Sequence, residues 1–108
     1  MAKQKVMGIY VIETKGMNKQ RYIGMSQNIK KRWRVHRHEL NQNKHRNLRL
    51  QKAWNEYGKD YFQFKIIQLC NSREEMCYFE KYYAHKMGYG NYDKCFNVGK
   101  PGIDHPFE

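Results

Sequence analysis

Residues 6–36 read VMGIYVIETKGMNKQRYIGMSQNIKKRWRVH. Two apolar runs flank a short polar turn, and a densely basic segment follows. Val6 to Glu13 is rich in β-branched and aromatic residues, which suits a strand. TKGMNK contains the turn formers Gly16 and Asn18. Arg21 to Gly24 then reads as the return strand, and two strands this close should pair antiparallel. Ser26 or Asn28 can cap a helix. Beyond them Ile29, Trp33, His36 and Leu40 recur at spacings of four, three and four, which is one helical face. At roughly 100° per residue, Arg32 falls at the edge of that face while Lys31, Arg34 and His38 point away. Arg32 and His36 are expected at the boundary between core and solvent, one turn apart, where their heads can converge.

The same reading runs down the rest of the chain. Residues 41–45 form a polar connection, and Arg46 to Tyr57 a second helix that buries Leu50, Ala53, Trp54 and Tyr57 and stops at Gly58. Tyr61 to Cys70 alternates through Phe62, Phe64 and Ile66 as a third strand. Ser72 with Glu75 makes a capping box for a third helix, which ends at Gly88. A short extended piece is expected at Cys95–Val98. The order ββααβα predicts an α+β fold, a small and mainly antiparallel three-stranded sheet flanked by helices. It is read as one domain over residues 1–108, with its core at 6–99 and a short tail at 100–108.

Composition limits the function. Apolar residues are 40% and aromatics 15%, enough to fold around one core. Lys and Arg number 21 against 10 Asp and Glu, a net charge of +11. From Ile29 to Lys52 there are nine Lys or Arg and a single acid, Glu39. A positive field this concentrated suits a polyanion, with phosphate the commonest target. Lys30, Lys31, Arg34 and Arg37 on the first helix, with Arg46, Arg49 and Lys52 on the second, are therefore expected to hold a nucleic-acid backbone. No apolar run approaches the length of a membrane span, and the N-terminal apolar stretch is too short for a signal peptide. Cys70, Cys77 and Cys95 form no CxxC pair and read as reduced core thiols of a cytoplasmic protein rather than zinc ligands.

Some residues break their local pattern. Met76, Phe79, Tyr83 and Met87 form the apolar stripe of the third helix, and Glu80 projects within about 40° of its centre. A buried carboxylate needs a salt bridge or a metal ion, and a hard cation such as Mg²⁺ takes carboxylate oxygen. Tyr10 and Tyr22 lie on paired strands and can project to the same side. His36 and His45 are ordinary when taken singly.

Taken together, these residues carry a resemblance. Gly8-Ile9-Tyr10 and Tyr22-Ile23-Gly24, with 11 residues between them, resemble the two tripeptides of the GIY-YIG nuclease family. The likeness runs from about residue 6 to residue 99 and is strongest to the catalytic domains of phage and intron-encoded homing endonucleases. It implies hydrolysis of a phosphodiester in double-stranded DNA, one strand per active site, with one Mg²⁺ (or Mn²⁺) held by Glu80. It assigns the catalytic arginine to Arg32, the helix histidine to His36, a further histidine of the phage type to His45, and the late asparagine to Asn97 in CFNVG. Tyr10 becomes the leading general base, with Tyr22 orienting water or phosphate, although His36 or His45 titrates in a more suitable range. Tyr10, Tyr22, Arg32 and Glu80 are expected to gather around one ion. The one departure noted is Met25, where small residues are common. Homing enzymes of this type usually append a linker and a C-terminal DNA-recognition domain, and no stretch here reads as one, so the chain is expected to be an excised catalytic module, a minimal nuclease of weak specificity, or one that needs a partner, at work in the cytoplasm of a bacterial or phage-infected cell. Two rivals stand beside it: a non-catalytic basic nucleic-acid-binding module, and a repair or restriction nuclease of the same superfamily.

Overall fold

The central strand is the most apolar one. In the computed structural model, which describes residues 5–16, 19–88 and 94–97, strand β1 (Gly8–Thr14) is buried along its whole length. It is flanked by β2 (Arg21–Ser26) and β3 (Phe62–Leu69) in the order β2-β1-β3, both pairings antiparallel. Three helices complete the α+β fold: α1 (Ile29–Asn41), α2 (Leu48–Tyr57) and α3 (Arg73–Lys86). A 3₁₀ turn, Lys59–Tyr61, leads into β3.

Side chains alternate across a sheet, so each strand feeds two cores. Tyr10, Ile12, Tyr22 and Phe62 pack with Ile29 and Leu40 of α1 and Leu50 and Trp54 of α2. Ile9, Val11, Ile23 and Met25 pack with Met76 and Ala84 of α3. The sheet is thus the middle of three layers, with α1 and α2 on one face and α3 on the other. Glu13 ends β1 on the α3 side, 3% exposed, held by Lys19, Arg21 and Lys65 at 3.1–3.5 Å and by the Gln63 amide at 2.6 Å. Arg21 and Gln63 are its direct cross-strand neighbours, so one acid ties all three strands.

Several expectations shift. The second helix begins at Leu48, because Asn47 accepts from the Leu50 N–H and caps it. Tyr57 is 52% exposed, and Gln51 is buried in α2 instead. His36 is fully buried rather than at the solvent boundary, because α1 lies flat on the Tyr10 and Tyr22 rings. Cys77 is exposed, since it falls off the sheet-facing stripe of α3, while Cys70 and Cys95 are buried. The Ser72 hydroxyl accepts from Glu75 N–H as expected, but the Glu75 carboxylate reaches back to the Asn71 N–H, one residue beyond the predicted box. The late extended piece appears as a parallel bridge of Cys95 to Arg21, beside edge strand β2; Val98 and the turn residue Asn18 lie outside the described residues.

Candidate active site

The site starts from two glycines with different uses. Tyr10 and Gly24 are directly opposed on β1 and β2. A methyl group at Gly24 would collide with the Tyr10 ring and hydroxyl, so the missing side chain lets the phenol cross β2. At Gly8 a methyl would strike the Gln68 carbonyl, so that glycine allows β3 to approach β1 closely.

The Tyr10 hydroxyl then meets α1. Its oxygen lies 2.6 Å from Nε2 of His36. On the far side of that ring, His36 Nδ1 lies 2.7 Å from Nε2 of His45. His45 Nδ1 in turn accepts the Asn47 N–H at 3.0 Å. Tyr22 sets its ring edge-on to both imidazoles, with centroids 5.3 and 5.7 Å away. Four of the residues picked from the sequence are therefore packed as one group, although they span positions 10 to 45. His36 is 0% and His45 4% exposed. Burial pushes the His45 imidazole down to about 4, and the nearby charges of Arg32 and Arg46 push the same way. His45 is therefore neutral at physiological pH.

The turn that presents His45 is itself built from amides. The His45 N–H donates to Gln51 Oε1, and Gln51 Nε2 donates to the Leu40 carbonyl and to Asn55. Asn47 caps α2 and donates its side-chain N–H to the Phe96 carbonyl. Neither Asn47 nor Gln51 was singled out from the sequence. Asn47 carried a signal, a capping residue just before an apolar-periodic helix, whereas Gln51 carried none.

Asn97 is fully buried and works on β2. Its Oδ1 accepts the Ile23 N–H at 2.7 Å and its Nδ2 donates to the Ile23 carbonyl at 3.3 Å. It thus stands in for a neighbouring strand at the residue between Tyr22 and Gly24, an anchor rather than a phosphate contact. Glu80 is 1% exposed on the sheet-facing side of α3, one turn from both Met76 and Ala84. That helix bears chiefly on β2 from the face opposite the Tyr10–His36–His45 group, so the structure brings Tyr10, Tyr22, His36 and His45 together on one face and starts Glu80 from the other, across edge strand β2. Arg32 is half-buried on α1, close enough for its charge to be felt at His45.

The basic residues divide by use. Lys30, Lys31, Arg34, Arg46 and Lys52 are exposed and available to a polyanion. Arg37 lays its guanidinium 4.1 Å from the centre of the Phe64 ring. Arg49 is half-buried and donates to the Cys95 carbonyl at 2.6 Å, so it latches the 94–97 segment to α2.

Two places have the chemistry to hold a metal ion. Glu80 offers a hard carboxylate oxygen, the donor type that Mg²⁺ or Mn²⁺ takes, on a side chain 1% exposed, so an ion with its water and phosphate reaches it only where neighbouring side chains part. His36, Glu39 and His45 bring one donor atom each within 4.8 Å of one another, among the described residues. Two imidazoles suit a borderline metal better than Mg²⁺, and here their nitrogens are bonded to each other. We read the two imidazoles, together with the Tyr10 hydroxyl, as a hydrogen-bonded series instead.

Comparison with known proteins follows the same lines. The family model described as the GIY-YIG catalytic domain matches residues 6–93. The solved catalytic domain of the homing endonuclease I-TevI superposes with a TM-score of 0.76 at 21% identity, covering 87% of this chain and 99% of that one. A mutant of the catalytic domain of the same intron endonuclease gives a TM-score of 0.75 at 21% identity, covering 87% and 94%. At that identity the likeness is one of fold. No curated protein matches the sequence.

Proposed function

The chain belongs to the GIY-YIG family, a family of nucleases, and from that premise we propose that it is a divalent-metal-dependent endonuclease of the homing-endonuclease catalytic type, hydrolysing phosphodiesters of double-stranded DNA. The observation that carries the reading is the buried 2.6 Å bond between the Tyr10 hydroxyl and His36, at the centre of the group that holds both tripeptide tyrosines. A purely DNA-binding surface needs exposed cations, not a phenol locked to an imidazole and a buried carboxylate.

The residues divide the work as follows. Glu80 would hold one Mg²⁺ or Mn²⁺ ion, which when bound polarises the phosphate and steadies the leaving 3′ oxygen. Arg32 offers forked N–H groups to the phosphoryl oxygens, where negative charge grows as water attacks. Tyr10 first gives up its own hydrogen to solvent and, as the phenolate, takes the proton from that water; a free phenol has a pKa near 10, so this role needs nearby positive charge, which Arg32 offers. Both phenols are covered, Tyr10 at 0% and Tyr22 at 2% exposure, so water reaches them only as local side chains part for the phosphate. Asn97 keeps β2, and with it Tyr22, in register. Lys30, Lys31, Arg34, Arg46 and Lys52 hold the DNA backbone without reading sequence.

The test uses supercoiled plasmid. Wild-type protein with Mg²⁺ or Mn²⁺ should relax or linearise it, and EDTA should stop the reaction. Glu80→Ala and Arg32→Ala should keep a folded circular-dichroism spectrum and lose cutting. A wild-type protein that shifts plasmid on a gel yet never cuts it with either metal would hand the function to the binding-module rival. Cutting by Glu80→Ala at the wild-type rate would remove the metal assignment.

A further inference from the structure

The hydrogen bonds around His36 have a direction, and that direction can be worked out from the backbone. A neutral imidazole carries one N–H and one lone pair. The Asn47 amide is a donor only, and it points at His45 Nδ1 from 3.0 Å. That nitrogen must therefore present its lone pair, which places the His45 proton on Nε2. His45 Nε2 faces His36 Nδ1 at 2.7 Å, so His36 Nδ1 accepts and the His36 proton sits on Nε2. That N–H faces the Tyr10 oxygen at 2.6 Å. The two side-chain links are short and buried, and the part-buried first link has a main-chain donor, so it cannot reverse.

We propose that His45 is a positioning residue: held by the Asn47 main-chain N–H, it selects the Nε2–H tautomer of His36 and so makes the Tyr10 phenol oxygen a hydrogen-bond acceptor. The consequence for chemistry is specific. His36 does not act as a sink for the Tyr10 proton. It acts as a fixed N–H donor that stabilises negative charge on the phenol oxygen, and Tyr10's own hydrogen is turned away from α1. The Tyr10 hydrogen then leaves toward solvent rather than to His36, and the phenolate oxygen that remains, held by the His36 N–H, is the base that takes a proton from water. The turn at residues 45–47, not α1, then sets the polarity of the site. This inference rests on the proposed role of Tyr10 for its functional meaning, but the tautomer itself does not.

The first measurement is the tautomer in the metal-free, DNA-free full chain, read from the ring ¹⁵N shifts of His36 and His45 by long-range ¹H–¹⁵N correlation at neutral pH. Both rings should show protonated Nε2 and unprotonated Nδ1. An Nδ1–H form on either ring overturns the proposal, whether or not the protein cuts DNA. The second measurement is a pair of variants. In His45→Gln the amide Nε2 can still donate to His36 Nδ1, so kcat should stay within about tenfold of wild type, with the His36 tautomer unchanged. In His45→Glu the carboxylate can only accept, so His36 must place a proton on Nδ1, and kcat should fall about a hundredfold or more with KM little changed. Equal kcat in the two variants overturns the proposal. If His45→Glu does not fold, the wild-type tautomer decides. A wild-type chain that has the expected tautomers but no cleavage with either metal would defeat the nuclease reading and leave the polarity standing.

Discussion

At the scale of single residues, the two tripeptides have separable physical jobs. Gly24 is required by the ring of Tyr10 that lies over it, so the two positions should be coupled. Gly24→Ala should destabilise the fold by about 1–3 kcal/mol, the usual size of an overpacking strain. In a Tyr10→Ala background the same change should cost clearly less, because the ring it strikes is gone. A double-mutant cycle by urea unfolding checks this, and additive costs would show that the glycine serves something other than the phenol. His45 carries a second prediction. Its folded pKa of about 4 lies below its ordinary value of about 6.5, so between those pH values the unfolded chain binds the extra proton. Stability from this group is complete above about pH 6.5 and is lost as pH falls toward 4, by about 3 kcal/mol in all. His45→Gln should flatten that limb of the stability curve, measured by urea midpoints across the range.

At the scale of elements, the fold is tied together by a few polar residues at strand and helix ends. Asn47 caps α2 and holds Phe96, so Asn47→Ala should lower unfolding free energy by about 2 kcal/mol while leaving its main-chain N–H on His45. A thermal melt unchanged from wild type would show that the cap contributes little. Glu13 binds three strands. Burial raises its carboxyl, but hydrogen bonds from Lys65 and Gln63 and the charges of Lys65 and Lys19 outweigh that and hold it below the usual range. A lowered folded pKa means stability present above the unfolded value and lost as pH falls through the folded one. Glu13→Gln should therefore destabilise the protein at neutral pH, and the gap from wild type should close in acid. A gap that stayed constant into acid would assign the effect of Glu13 to shape instead of charge. Most of these elements were readable in advance, since both hairpin strands, all three helices and the Gly58 and Gly88 stops follow local periodicity and capping chemistry. What local pattern misjudged was depth. Tyr57 lies on the expected stripe yet remains exposed, and Gln51 is buried because its amide has the backbone of residues 40 and 45 to satisfy.

At the scale of the whole molecule, charge is segregated on α1, α2 and the turn between them. If Lys30, Lys31, Arg34, Arg46 and Lys52 each meet a phosphate, log K for DNA should fall with log salt with a slope of roughly −4 to −5. Replacing Lys31 and Arg34 by Gln should reduce that slope by about 2, equally for unrelated duplexes. Fluorescence anisotropy with the Glu80→Ala variant measures this without cleavage. An unchanged slope would move the DNA to another face. Arg49 should matter little to the slope, because its guanidinium is already bonded to the Cys95 carbonyl.

The amino-acid sequence alone determined the order of the elements, the antiparallel hairpin, the position of the basic surface and the identity of the residues worth testing, because each of these depends on neighbours within a turn or a strand. Only the tertiary structure decided that α3 covers the opposite face of the sheet from α1 and α2, that His36 is buried, that Asn97 is a strand anchor, and that Tyr10, His36 and His45 are bonded in series. Those facts depend on how helices cross a sheet and on hydrogen bonds between residues 9 to 74 positions apart, and no period in the chain encodes either.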